Sequence, residues 1–195
     1  MDSQSTPEIS PQLMSRLKRI KVLLMDVDGV LTDGRLFYFP DASGKPVEFK
    51  GFNSQDGVGF HMLNAAGIKS GVISGRESPA TVERARILNI SYVYQGFLEK
   101  DASYDEILQK AGVTADEVAY IGDDFTDVSL MRRSALGCCV GNARPELKTV
   151  ADIVTVADGG KGAVREIIEI ILKAQGKWEA ALEKYGLVAR QKLDA

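Results

Sequence analysis

Short runs that are apolar along nearly their whole length recur through the chain: VLLMDV (22–27), SGVIS (70–74), YVYQ (92–95), VAYIG (118–122), LGCCVG (136–141) and DIVTV (152–156). A strand of this kind has both faces buried, as happens where helices cover a parallel sheet on either side. Between the runs, segments around 57–66, 79–88, 100–111, 126–134 and 161–174 carry apolar residues at spacings of three and four, the helical rhythm. Strand alternating with helix predicts an α/β fold, a doubly wound parallel sheet of Rossmann-like type, in which ligands sit beyond the carboxyl ends of the strands. The 195 residues, 45% of them hydrophobic, suffice for one core. That core is expected over 19–175, between an N-terminal tail at 1–18 and a C-terminal tail at 176–195.

One segment departs from the rhythm. RLFYFPDASGKPVEFKGF (35–52) alternates aromatics into a Pro-Asp-Ala-Ser-Gly turn and out again, which predicts an inserted β-hairpin. Leu36, Phe37, Tyr38, Phe39, Val47 and Phe49 make it more apolar than a lone solvated hairpin tolerates, so it is either a surface flap or a pairing surface between subunits. The tail after Gly176, with Trp178 and Tyr185, is helix-prone and is expected to fray or to dock on a neighbour.

A net charge of -3 offers no basic field for a phosphate backbone, so a nucleic-acid partner is not expected. The cysteines, Cys138 and Cys139, are adjacent in an apolar run and read as reduced core residues. MDSQSTPEISPQ has acids and prolines where a signal peptide needs a basic start and an apolar centre, and no stretch is long enough to cross a bilayer. The expectation is a cytoplasmic protein without a membrane partner.

The first strand runs into LLMDVDGVLTDG, which places Asp26, Asp28 and Asp33 at the strand end; VAYI runs into GDDFTD, with Asp123, Asp124 and Asp127. If the two strands are neighbours, these carboxylates converge and repel, and each carboxyl is driven to hold its proton unless a cation neutralises it. All-oxygen donors in a chain with one histidine point to Mg2+ rather than zinc. The competing reading is that Asp-rich turns cap helices. A carboxylate at such a corner can attack phosphorus, and a second one two residues on can hand a proton to the leaving oxygen.

DVDGVLTDG, the ISGR at 73–76, Lys100 after YQG, and GDDFTD resemble the four ordered motifs of the haloacid dehalogenase superfamily of phosphohydrolases, over about Lys21 to Gly176. The resemblance implies Asp26 as nucleophile and Asp28 as general acid/base. It implies Mg2+ held by the Asp26 carboxylate, the Asp28 backbone carbonyl and Asp123. Ser74 would bind phosphate through its hydroxyl, with Gly75 beside it, and Lys100 would neutralise the nucleophile and the phosphoryl group. Asp124 and Asp127 are supports, either as helix caps or at the metal. Read alone, Lys100 would pass for a solvated helix residue and Ser74 for turn chemistry.

Large relatives carry a cap domain, and the segments 34–70 and 75–100 have no room for one, so this chain resembles the capless members. FNSQDGVGFHML, ISGRESPATVERARILNI, YVYQGFLEK and GGKGAVREIIEIILKAQGKW are similar to the 3-deoxy-D-manno-octulosonate 8-phosphate phosphatases, capless tetramers whose hairpins assemble between subunits. The likeness implies hydrolysis of a keto-sugar-acid phosphate in lipopolysaccharide precursor biosynthesis, by a homotetramer built through the 35–52 hairpin. Asn53, Ser54, Gln55, Asp56, Gly57, Arg76, Arg84 and Lys100 would contact the sugar acid or its phosphate, with His61 near the site mouth. Relatives often carry basic residues where Gln55 and His61 stand, which leaves open a nonulosonate 9-phosphate as substrate. A non-catalytic relative that binds or regulates a sugar-nucleotide enzyme is the alternative of another class.

Overall fold

The structure, a computed structural model, describes residues 10–187. Its strands are β1 (Val22–Met25), β2 (Phe37–Pro40), β3 (Pro46–Phe49), β4 (Lys69–Ser74), β5 (Tyr92–Gln95), β6 (Val118–Gly122), β7 (Leu136–Cys139) and β8 (Ile153–Val154). Six of them form one parallel sheet in the order β5-β4-β1-β6-β7-β8. β1 pairs on one side with β4 and on the other with β6, Met25 lying opposite both Val72 and Ile121. The chain winds from β1 through β4 to β5, then returns to the far side of β1 to lay down β6, β7 and β8. The winding reverses at β1 and β6, so a crevice opens at their carboxyl ends.

The helices are α1 (Pro11–Arg19), α2 (Ser54–Ala65), α3 (Pro79–Leu88), α4 (Asp101–Ala111), α5 (Val128–Arg133), α6 (Pro145–Lys148), α7 (Ala163–Ala174) and α8 (Trp178–Glu183). They flank the sheet and seal the core, in which Leu23, Leu24, Ile73, Phe60, Tyr120, Ile121, Ile167 and Ile171 are all but completely buried. Full burial of every β1 residue explains why that run shows no polar alternation.

The chain ends differ from the tails expected at 1–18 and 176–195. Residues 11–19 form α1: Ser10 Oγ accepts from Leu13 N at 3.2 Å, Pro11 opens the first turn, and Leu17 is fully buried. A serine cap followed by proline is a helix start, a signal that the acidic, proline-containing flank obscured. At the other end α8 docks on its own chain: Trp178 packs against the core, with Lys173 Nζ 4.9 Å and the Arg165 guanidinium 5.8 Å from its ring. Residues 188–195 of the tail lie outside the described residues. No described helix is long and apolar enough to cross a membrane.

The hairpin is present as a separate antiparallel pair, Phe37 opposite Phe49 and Phe39 opposite Val47. Asp41 Oδ1 accepts from the Ser43 and Lys45 amides and so closes the turn. Phe49 meets Phe37 and Phe39 edge to face, yet the three rings remain 40–61% exposed.

Candidate active site

β1 ends at Met25, and the next residue, Asp26, donates its amide to Ile121 O at 3.0 Å, so its side chain leaves the sheet beside the end of β6. Asp123 follows the last residue of β6 in the same way. The two acidic strand ends are therefore neighbours. Gly29, with φ +98°, makes the approach possible: a Cβ there would lie 2.1 Å from Asp123 Oδ2, so a side chain would both strain the backbone and strike the carboxylate.

Lys100 enters from the start of α4 and is 3% exposed. Its Nζ stands 2.7 Å from Asp127 Oδ1 and 3.1 Å from Asp26 Oδ1. Burial alone would lower the pKa of this ammonium, but the adjacent Asp127 and Asp26 outweigh it and raise it, so the cation persists. Asp127 is fully engaged. Its Oδ1 accepts from Lys100 and from Tyr120 Oη at 2.8 Å, while its Oδ2 accepts from the Asp123 and Asp124 amides at 3.0 and 3.4 Å. Of the two roles open to Asp127, tying its own loop is the one these bonds describe. Asp124 caps the short turn Phe125–Asp127 through Oδ1 to the Phe125 amide, 2.7 Å away.

Burial, with the charge of Asp127 and against the pull of Lys100, raises the Asp26 carboxyl to about 6. Burial and the neighbouring Asp26, Asp127 and Asp124 push Asp123 up to about 8. Asp123 Oδ1 is buried without a hydrogen-bond partner. Asp26, Asp123 and Asp127 each offer an oxygen within 4.8 Å of the others. Since Asp127 is spoken for, Asp26 and Asp123 are the free carboxylates that a cation would neutralise. A hard divalent ion such as Mg2+, with water in its remaining positions, fits this oxygen-only set.

Ser74, the last residue of β4, completes the corner. Its Oγ accepts from the Arg76 amide at 3.2 Å. Asp26, Asp28, Ser74, Gly75, Arg76, Leu98, Lys100, Asp123, Asp124 and Thr126 enclose a cleft of about 200 Å3. Leu98 and Thr126 carried no signal in the sequence. Nor did Lys50 and Glu48, which reach the site from the hairpin: Lys50 Nζ bonds Asp28 Oδ1, and Glu48 bonds the Arg76 guanidinium at 2.6 Å.

Several residues expected at the substrate lie outside the lining of this cleft in the single chain. Asn53 caps α2 through Oδ1 to the Gln55 amide, and its carbonyl accepts from Arg84 at 2.9 Å. Arg84 also lies over the Phe52 ring. Asp56 is buried and accepts from the Arg165 amide at 2.8 Å, fastening α2 to α7. Gly57 leaves room for Arg84, whose guanidinium would be 3.0 Å from a Cβ. Ser54, Gln55 and His61 are exposed on α2. None of these seven lines the cleft. Asn53, Asp56, Gly57 and Arg84 build the scaffold under α2, a role that polar residues at a helix start share with ligand binding and that spacing cannot separate.

Residues 74–168 match the family model of haloacid dehalogenase-like hydrolases. Over 85% of this chain and 89% of the relative, the sequence is 42% identical to a 3-deoxy-D-manno-octulosonate 8-phosphate phosphatase of Haemophilus influenzae. It is 36% identical to the enzyme of the same name from Salmonella typhimurium, over 89% and 90%. A crystal structure of the Moraxella catarrhalis 3-deoxy-D-manno-octulosonate 8-phosphate phosphatase, in complex with a magnesium ion, a phosphate ion and a KDO molecule, superposes with a TM-score of 0.83 at 38% identity, covering 88% of this chain and 97% of that one. Similarity across most of both chains, joined to paired acidic strand ends around a buried lysine, places this chain in the haloacid dehalogenase-like hydrolases, in the family of the 3-deoxy-D-manno-octulosonate 8-phosphate phosphatases.

Proposed function

We propose that the protein is a Mg2+-dependent phosphomonoesterase that hydrolyses 3-deoxy-D-manno-octulosonate 8-phosphate, a step in lipopolysaccharide precursor synthesis. The observation that carries the reading is the placement of the Asp26 carboxylate 3.1 Å from a buried lysine, within 4.8 Å of Asp123, at the floor of an open cleft. The named relatives supply the substrate class.

In this reading an Asp26 oxygen attacks phosphorus, the ester P–O bond breaks, and Asp28 gives its proton to the departing sugar oxygen. A water then attacks the aspartyl-phosphate while Asp28 takes its proton, releasing phosphate and restoring Asp26. Lys100 sets a fixed positive charge against Asp26 and the phosphoryl oxygens, where charge concentrates in flight. The Ser74 hydroxyl, at the end of β4 and in the lining of the cleft, holds the phosphoryl group. Bound Mg2+, held by Asp26, Asp123 and the Asp28 carbonyl, supplies further positive charge for the phosphate oxygens. Arg76, at the cleft rim, is suited to an anionic sugar because a guanidinium forks onto carboxylate oxygens.

The hairpin's exposed Leu36, Phe37, Tyr38, Phe39, Val47 and Phe49 call for a cover. Pairing of hairpins between copies in a homotetramer answers that need. The test of function is phosphate release from octulosonate 8-phosphate and from nonulosonate 9-phosphates with Mg2+. A specificity constant favouring the octulosonate substrate is expected. Preference for a nonulosonate would transfer the assignment to that sugar, and no release from any of them would leave a binding protein.

A further inference from the structure

Lys50 sits just after β3, at the end of an otherwise exposed hairpin, yet its side chain is only 1% exposed. A buried ammonium must be paired, and its partners are both acids: it bonds Asp28 Oδ1 and lies 3.3 Å from Glu48 Oε1. The two oxygens of Asp28 are thereby made unequal. Oδ1 is held by the hairpin, while Oδ2 is buried without a hydrogen-bond partner, stands 3.7 Å from Arg76 Nε, and belongs to a residue that lines the cleft. Glu48 extends the chain of contacts, since its Oε2 accepts from Arg76 at 2.6 Å, as Tyr38 Oη does at 2.7 Å.

We propose that Lys50 is a positioning residue for proton transfer: by clamping one oxygen of Asp28 it fixes the carboxyl rotation and aims the other at the leaving group, with Glu48 holding Lys50 in place. The inference rests on the phosphatase reading. A carboxyl free to turn would move its transferring oxygen by about 1 Å or more, a displacement that costs on the order of a hundredfold in rate.

The experiment compares kcat/KM, which reports the steps through ester cleavage, on two substrates with Mg2+ present. An alkyl ester such as a sugar phosphate needs its leaving oxygen protonated; p-nitrophenyl phosphate does not. Lys50→Met is expected to lose at least about tenfold on the alkyl ester and less than about twofold on the aryl ester, and to add no further loss in an Asp28→Asn background. Glu48→Gln should show the same selective loss in weaker form, and it provides the readout should Lys50→Met not fold. Equal losses on both esters, or no loss on either, would overturn the proposal while wild-type turnover keeps the phosphatase reading intact. Absence of wild-type turnover on both would instead remove the reading beneath it.

Discussion

Lys100 Nζ and Asp127 Oδ1 lie 2.7 Å apart with both side chains shut away from solvent, 2% and 0% exposed. Asp127 serves this lysine, the Tyr120 phenol and two loop amides at once, so the β6 loop and the start of α4 share one carboxylate. Removing Asp127 would leave Lys100 to Asp26 alone and strip the Tyr120 phenol and two amides of their acceptor, and breaking a buried pair of this kind costs about 3–5 kcal/mol. Asp127→Ala is expected to fall in that range by urea unfolding; a loss below about 1 kcal/mol would show that the pair is not what ties the loop.

The raised carboxyls define a pH dependence for the metal-free protein. Asp26 and Asp123 hold protons more tightly in the fold than an ordinary carboxyl of pKa 3.8 does, at about 6 and about 8. Across that interval the folded state binds more protons than the unfolded chain, so their contribution to stability declines as pH rises from 3.8 through about 8. A cation competes with those protons. Mg2+ is therefore expected to raise Tm by more at about pH 8 than at about pH 5.5, and Asp123→Asn to abolish the difference. An equal Mg2+ effect at both pH values would contradict a site built on these two acids.

Gly29 tests how closely the two strand ends are fitted. At φ +98°, with Asp123 Oδ2 2.1 Å from a would-be Cβ, Gly29→Ala has both a strained backbone and a clash. A destabilisation of about 1–3 kcal/mol is expected, with phosphate release falling more than tenfold because Asp123 is displaced. Near-native stability and turnover together would refute the close approach.

The sheet was legible because each buried strand announced itself as an unbroken apolar run, and the glycine and aspartate clusters marked where β1 and β6 stop. What the runs could not state was adjacency. That Asp26 and Asp123 meet depends on the winding reversing at β1, which is a property of the whole sheet. Lys50 escaped notice for a related reason: a lysine at the end of a hairpin reads as solvated, and only the folded chain buries it against Asp28, beyond the end of β1. Asp56 and Arg84 were ambiguous in the opposite direction, since side chains that fasten a helix, as these two do, have the same chemistry as those that bind anions.

The exposed hairpin aromatics carry an assembly prediction. The protein is expected to sediment as a tetramer at micromolar concentration, and Phe39→Glu, which places a charge on a side chain 61% exposed in the single chain, to shift it toward monomer. A wild-type monomer would leave the hairpin as a flap.

The most direct measurement is acid quenching of a single turnover with octulosonate 8-phosphate and Mg2+, followed by mass spectrometry of the peptide that carries Asp26. A transient phosphoryl group on that peptide, lost in base and absent from Asp26→Asn, whose turnover drops more than about a thousandfold while its unfolding curve is unchanged, is the expected result. Phosphate release by Asp26→Asn at near wild-type rate, with no labelled peptide in either protein, would contradict the account.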